Sequence, residues 1–140
     1  MTDVPYLLDT NVVSELRKAS RCHPAVQAWR HHIADEETFL SVIVLGELRQ
    51  GIEMLHRRDV SSAHRMDVWF HGLRVSYAGR ILAVTAEVCH EWGANPLLWS
   101  LQTADALIAA TAAQYELTVA TRNERDFQRS GVDFVNPFGT

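Results

Sequence analysis

Short apolar runs alternate with helical patterns along the chain. The first run, "VPYLL" (residues 4–8), predicts a buried strand, and a helix is expected to open directly after it, at Thr10 or Asn11. Further strands are predicted at residues 38–42, 80–84, 117–121 and 132–137. Helices are predicted at residues 24–34, from 42 to about 58, from Ser61 or Ser62 to about 73, from 85 to just before Pro96, and from 103 to about 115. This alternation predicts an α/β fold built from βαβ units, with a mainly parallel sheet of four to five strands and helices on both faces.

Four acidic residues interrupt these patterns. Asp9 follows the first strand, and Asp126 follows the fourth in the polar loop "TRNERDF". Asp105 falls in the first turn of the alanine-rich helix, and Glu47 lies on the helix after the second strand, beside its apolar stripe. Ligands of parallel α/β sheets gather beyond the carboxyl ends of the strands. The four acids are therefore expected to converge on one pocket at that edge.

Each acid taken alone has an ordinary structural explanation. Asp9 and Asp105 stand where a carboxylate stabilises a helix N-terminus. Glu47 can extend its charge to solvent, and Asp126 stands in a loop, where polar residues are common. Several carboxylates in one pocket, however, repel one another unless cations neutralise them, and an all-oxygen site suits Mg²⁺ or Mn²⁺ rather than Zn²⁺. Such ions would attract phosphate and activate a water for attack on phosphorus.

Composition narrows the possible classes of protein. A chain of 140 residues is most simply a single domain, residues 1–140, and its net charge of −4 argues against a basic nucleic-acid binder. No apolar run approaches the roughly 18–20 residues of a membrane span, and Asp3 and Asp9 are wrong for a secretory leader. Cys22 and Cys89 match no metal-binding spacing and are expected to be free thiols in a reducing cytoplasm, with a single disulfide as the alternative.

Four segments together carry a family resemblance: "LLDTNVVSEL", "SVIVLGELRQGIEML", "DALIAATAAQYELTVATRNERDF" and "GVDFVNPF". They resemble the PIN-domain ribonucleases, and specifically the VapC-type toxins of bacterial type II toxin–antitoxin pairs in the FitB-like branch. The resemblance implies a PIN-like three-layer αβα sandwich with strand order 3-2-1-4-5. It also implies Mg²⁺-dependent hydrolysis of RNA phosphodiester bonds, with Mn²⁺ as the other suitable ion. In the cell, such a protein would inhibit translation and growth until a small VapB-like antitoxin neutralised it. A homodimer in the cytoplasm is expected.

The resemblance also assigns roles to residues. Asp9 and Asp105 would be direct metal ligands. Glu47 would bind the metal or hold a metal-bound water, and Asp126 would bind a second ion. The motif's supporting polar positions fall on Thr10, Asn11, Thr121 and Asn123, of which the last would orient a carboxylate or a water.

RNA needs a path to so acidic a site. Arg122, Arg125 and Arg129 border the last acid, and Arg49 lies two residues after Glu47. These arginines could form a basic rim that holds phosphates, or they could simply be solvated surface residues.

Aromatic residues and histidines need separate explanations. The seven histidines fall on predicted helix faces and are expected at the surface, so no histidine base is required. The four tryptophans are expected mainly in the core, with some at a dimer or antitoxin surface: Trp29, Trp69, Trp92 and Trp99. The stretch "NPLLWSLQTA", which contains Trp99 and precedes Asp105, is less typical of the family than the rest.

Two other functions remain compatible with these residues. The domain could bind metal and a protein partner without cutting RNA, or it could be a PIN nuclease directed to DNA. A phosphate-transfer domain fits poorly. Asn11 stands where an aspartyl-phosphate phosphatase needs a second acid, and the acidic pair and lysine of a response-regulator receiver are missing.

Overall fold

Five parallel strands form the centre of the part of the protein that the structure describes. The computed structural model describes residues 4–139, so Asp3 and the outermost residues of the predicted domain lie outside the described part. The sheet has the order β3-β2-β1-β4-β5, which confirms the predicted order 3-2-1-4-5, and every pairing is parallel. The strands are β1 (Tyr6–Leu8), β2 (Thr38–Ser41), β3 (Ile81–Leu82), β4 (Thr118–Ala120) and β5 (Phe134–Val135), each shorter than predicted.

The central strands are buried on both faces. Leu7 and Leu8 are consecutive residues of β1, so their side chains point to opposite faces of the sheet, and both are fully buried. Val119 and Ala120 of β4 repeat this pattern. Helices must therefore cover both faces, as the predicted αβα sandwich requires.

In the part of the chain that the structure describes, seven α-helices connect and cover the strands. Helix α1 begins at Thr10, as predicted, and α6 has the predicted bounds. Helix α3 packs on α4, α5 packs on α6, and α7 packs on α6 and β5. The helices are α1 (Thr10–Leu16), α2 (Pro24–His31), α3 (Val42–His56), α4 (Val60–Ser76), α5 (Ala86–Ala94), α6 (Thr103–Tyr115) and α7 (Glu124–Ser130).

Two helix predictions need correction. The loop predicted around Asp126 is helix α7, which Asn123 caps at its start and Gly131 ends with a positive φ of 77°. Helix α4 begins at Val60, before the predicted caps Ser61 and Ser62. Its N-cap is Asp59, which accepts from the Ser62 backbone N–H at 3.0 Å.

The prediction of two free thiols is confirmed. Cys22 is buried, Cys89 is exposed, and the two are not bonded. Among the described residues, no helix is both long enough and apolar enough to cross a membrane.

Candidate active site at the carboxyl edge of the sheet

The four predicted acids come from four different elements and approach one another. Asp9 directly follows β1, Glu47 lies on α3, Asp105 is in the first turn of α6, and Asp126 is in the first turn of α7. Burial, followed by the negative charges of Asp9, Asp126 and Glu47, raises the pKa of Asp105 from 3.8 to about 6. A carboxyl group that responds to three other carboxylates lies within one shared electrostatic site.

Asp9 is the most deeply placed of the four acids. Asp9 is only 5% exposed, and both of its carboxylate oxygens accept hydrogen bonds. Oδ1 accepts from the Thr10 backbone N–H at 2.8 Å, whereas Oδ2 accepts from the Thr121 hydroxyl at 2.8 Å and from the Asn11 amide at 3.4 Å. The pKa of Asp9 is raised overall. Burial is the largest cause, these hydrogen bonds oppose it, and the charge of Glu47 adds to the rise. Asp9 thus caps α1 and also aims a carboxylate at the acidic site.

Thr10 joins two of the acids. Its backbone N–H binds Asp9, and its hydroxyl donates to Oε1 of Glu47 at 2.5 Å, which ties α1 to α3. Glu47 is half-buried, so this hydrogen bond restricts a side chain that would otherwise choose among several rotamers. A solvent-facing Glu47 is one of the two placements that the sequence allows, and the structure instead holds its carboxylate against α1.

A second set of hydrogen bonds runs from Thr121 to Asp126. The Thr121 hydroxyl has a single proton, which it donates to Asp9, so it accepts from the Asn123 backbone N–H at 2.9 Å. The Asn123 side-chain amide in turn donates to Oδ2 of Asp126 at 2.9 Å. The chain of contacts therefore connects the first acid to the last, and Asn123 orients a carboxylate.

Asn11 fastens the end of β4 to the start of α1. Its Oδ1 accepts from the Arg122 backbone N–H at 3.0 Å, and its amide lies 3.5 Å from the Thr121 hydroxyl oxygen. All four supporting polar residues predicted from the sequence thus contact either an acid or the segment that carries one.

The predicted basic rim is partly present. Arg122 and Arg125 are exposed near the start of α7, and the Arg122 guanidinium stacks 4.5 Å above the ring of Phe138. Arg129 donates to the Ser100 hydroxyl at 2.9 Å and stands 3.9 Å from Oδ1 of Asp126. These side chains lie on the segment that carries the fourth acid.

Arg49 is directed elsewhere. Its guanidinium binds Glu53 at 2.6 Å and Asp67 of α4 at 2.7 Å. Two residues along a helix point to nearly opposite sides, so Arg49 faces α4 while Glu47 faces α1. Arg49 is therefore paired with two carboxylates on a different helix face from Glu47, unlike the other arginines predicted to contact RNA.

The histidines lie at the surface, and most of the tryptophans pack against the core. All seven histidines are exposed, which confirms their surface placement. Trp29 packs edge-to-face on Tyr6 with ring centroids 5.1 Å apart, and Trp69 and Trp92 pack partly buried against the core. Trp99 alone among the four is exposed, at 65%.

The donor set fits a hard divalent cation. Ion pairs among the described residues include none with Asp9, Glu47 or Asp105, so their charge has no cation to offset it. In residues 4–139, no group of three or more His, Cys, Asp or Glu side chains is arranged so that it could hold a metal ion directly. Mg²⁺ keeps several waters and commonly takes one or two protein carboxylates, so such an arrangement suits it.

The sequence gives no signal for several contacts at this site, among them those of Thr10 with Glu47 and of Ser100 with Arg129. It also favours a loop for the segment that carries Asp126, where the structure has helix α7. A signal for α7 was present, because Asn123 precedes the segment as a capping residue and Gly131 follows it as a helix terminator.

Comparison with known proteins identifies the family. The family model of the PIN domain matches residues 6–132. The chain therefore belongs to the PIN-domain family, as the sequence motifs suggested. It is 34% identical to the toxin FitB of Neisseria gonorrhoeae, over 94% of this chain and 97% of that protein. It is 33% identical to the VapC ribonuclease Y4jK of Sinorhizobium fredii, over 94% of this chain and 96% of that protein. The crystal structure of FitAcB from Neisseria gonorrhoeae superposes with a TM-score of 0.87 at 31% identity, over 96% of this chain and 99% of that chain.

Proposed function

We propose that this protein is a divalent-metal-dependent endoribonuclease and the toxin of a type II toxin–antitoxin pair. The observation that carries the proposal is that Asp9, Glu47, Asp105 and Asp126 come from four elements into one electrostatic site, and that no ion pair among residues 4–139 involves the first three. The similarity to a VapC ribonuclease and to the toxin FitB supports the same chemistry.

Mg²⁺, or Mn²⁺ in its place, would supply charge to stabilise the phosphoryl oxygens and lower the pKa of a water. Asp9 and Asp105 are the residues proposed to hold it, with Glu47 as a further ligand or as an acceptor for a coordinated water. Asp126 is proposed for a second ion. Thr10 fixes the rotamer of Glu47, and Asn123 fixes that of Asp126, so the protein prepares oxygen ligands before a cation arrives.

The arginines of the last segment are proposed to receive the RNA backbone. Arg122, Arg125 and Arg129 are exposed cations beside the acids, and they counter the repulsion that an acidic pocket would otherwise exert on phosphates. Their position at one end of the site gives the RNA a preferred side of approach.

The remaining proposals concern partners and setting. We propose that a small VapB-like antitoxin neutralises the protein, that the protein forms a homodimer in the cytoplasm, and that it functions as a single PIN domain. The similarity to the toxin FitB, and to a solved structure of FitAB bound to a DNA fragment, supports an antitoxin partner.

A cleavage assay tests the catalytic proposal. The purified protein is incubated with total RNA and, separately, with single-stranded and duplex DNA, in Mg²⁺, in Mn²⁺ and in excess EDTA. RNA cleavage in either metal and none in EDTA is the expected result. Asp9→Asn should slow cleavage by about 100-fold or more, because it removes one charge at the centre of the site. Asp133→Asn, which changes an exposed aspartate, is the matched control and should cleave normally.

The alternatives give different results in the same assay. A non-catalytic metal-binding module would leave all nucleic acids intact in every metal. A nuclease directed to DNA would degrade the DNA substrates faster than RNA. Cleavage that survives Asp9→Asn unchanged would place the chemistry outside the four acids.

A further inference from the structure

The turn between α5 and α6 exposes two large apolar side chains close to the site. In the 3-10 turn Pro96–Leu98 and the residues after it, Leu98 and Leu101 are buried and anchor the turn in the core. Leu97 and Trp99 point outward and are 55% and 65% exposed. Leaving an indole in water forgoes the stabilisation that burial would provide, and Trp99 has the largest side chain among the exposed hydrophobic residues of the described chain.

Trp99 is exposed but not free to move. Its indole N–H donates to the carbonyl of Gly93 on α5 at 3.2 Å. Asn95 caps the turn by accepting from the Leu97 backbone N–H at 3.1 Å. Leu97 lies so close to α7 that a Cβ on Gly131 would stand 2.8 Å from its Cδ1. The turn is therefore fastened to both α5 and α7, and the hydrogen bond to Trp99 uses only the edge of its ring.

The turn is also linked directly to the fourth acid. Ser100, the neighbour of Trp99, accepts from the Arg129 guanidinium at 2.9 Å. The same guanidinium stands 3.9 Å from Asp126, and it retains further N–H groups for another acceptor. An exposed aromatic ring, a cation and a proposed metal ligand therefore follow one another along this surface.

We propose that Trp99 is a stacking platform for an unpaired base of the RNA substrate, with Arg129 binding the phosphate next to that base. The inference rests on the proposed ribonuclease function and names how that site holds its substrate. Proteins that bind single-stranded nucleic acid combine exposed aromatic rings with cations that follow the backbone. A protein partner is the other occupant of an exposed apolar patch, but the adjoining Arg129 and the acidic site favour a phosphate-bearing chain here.

Binding measurements on a cleavage-deficient background test this platform. In Asp9→Asn, fluorescence anisotropy gives the Kd for oligouridylate, for oligoadenylate and for an abasic ribose-phosphate chain of equal length. Trp99→Ala should weaken binding of the two base-containing oligonucleotides by roughly 5- to 150-fold, the usual effect of losing one stacked base. It should leave the abasic chain unchanged, and Trp99→Phe should retain most of the affinity because a ring remains. Tyr115→Ala, an exposed aromatic at the far end of α6, is the matched control.

The outcomes separate this inference from the proposed function. If the parent protein cleaves RNA but Trp99→Ala binds all three chains as before, the platform does not exist. Equal weakening for the abasic chain would also overturn it, because the loss would then not involve a base. A Trp99→Ala variant with normal RNA binding but an altered mass by sedimentation would make the patch a protein interface. Failure of the parent to cleave any RNA would instead remove the proposed function itself.

Discussion

The amino and carboxyl ends of the strands, called here the amino and carboxyl edges of the sheet, differ in whether their charged side chains are paired. At the amino edge, the Arg80 guanidinium is surrounded by oxygen acceptors: it donates to the carbonyls of Asp35, Thr38 and Ser76 and lies 4.4 Å above the ring of Tyr77. At the carboxyl edge, three carboxylates have no ion-pair partner among the described residues. The amino edge satisfies its charge internally and stabilises the fold. The carboxyl edge leaves charge for a ligand from outside, and it lowers the stability of the unliganded protein.

The sharpest test of this contrast is Asp105→Asn. Removing this charge should lower the rate of RNA cleavage by about 100-fold or more, because a proposed metal ligand is lost. The same change should raise the melting temperature of the metal-free protein at pH 7, since it relieves repulsion with Asp9, Asp126 and Glu47. Thermal unfolding in EDTA measures the second effect.

The pH dependence of that stabilisation follows from the pKa of Asp105. The folded-state pKa is raised from 3.8 to about 6, so the folded state binds the proton more tightly than the unfolded state does. The contribution of this group to stability is therefore fully present below pH 3.8 and is lost as the pH rises through about 6. The melting temperatures of parent and Asp105→Asn should differ most above pH 6 and converge in acid. A difference that does not change with pH would contradict the assigned cause.

Arg80→Met removes the hydrogen bonds of the guanidinium at the amino edge. It should lower the free energy of unfolding by about 2 kcal/mol, because the carbonyls of Asp35, Thr38 and Ser76 lose a charged donor. The rate of RNA cleavage by the folded protein should stay close to that of the parent, since no acid is touched. Urea denaturation measures the first quantity, and Arg74→Met, an exposed arginine on α4, serves as the control. Equal losses of stability in both variants would mean that the hydrogen bonds of Arg80 to these carbonyls do not stabilise the fold.

Thr10→Val gives the smallest expected effect and tests how the acids are held. The variant keeps the backbone N–H that binds Asp9 but loses the hydroxyl that binds Glu47. Cleavage should slow by roughly 10-fold, as when a group that orients a metal ligand is removed. Thr10→Ser, which retains the hydroxyl, should restore the rate. A slow Thr10→Ser variant would show that the methyl group, and not the hydrogen bond, is what the site needs.

The sequence predicted the features that depend on local pattern. Asp9 was located because the apolar run of β1 ends there, and Asp105 because it opens an alanine-rich helix. Helix α7 was missed because Phe127 and Ser130 are its only buried residues, which leaves no apolar stripe to detect. The direction of Arg49 was unpredictable for another reason. It depends on where Asp67 lies across the α3–α4 contact, and a local pattern carries no such information.

The strand order has a consequence for the moment at which the protein becomes active. Strand β1 lies in the middle of the sheet, between β2 and the much later β4, and Asp126 is carried by the last helix. Synthesis proceeds from the N-terminus, so a ribosome must have added residue 121 before Asp9 can accept the Thr121 hydroxyl, and helix α7 before the fourth acid is in position. A partly made chain lacks the site. The strand order thus makes the acidic site one of the last features that can form as residues 4–139 are synthesised.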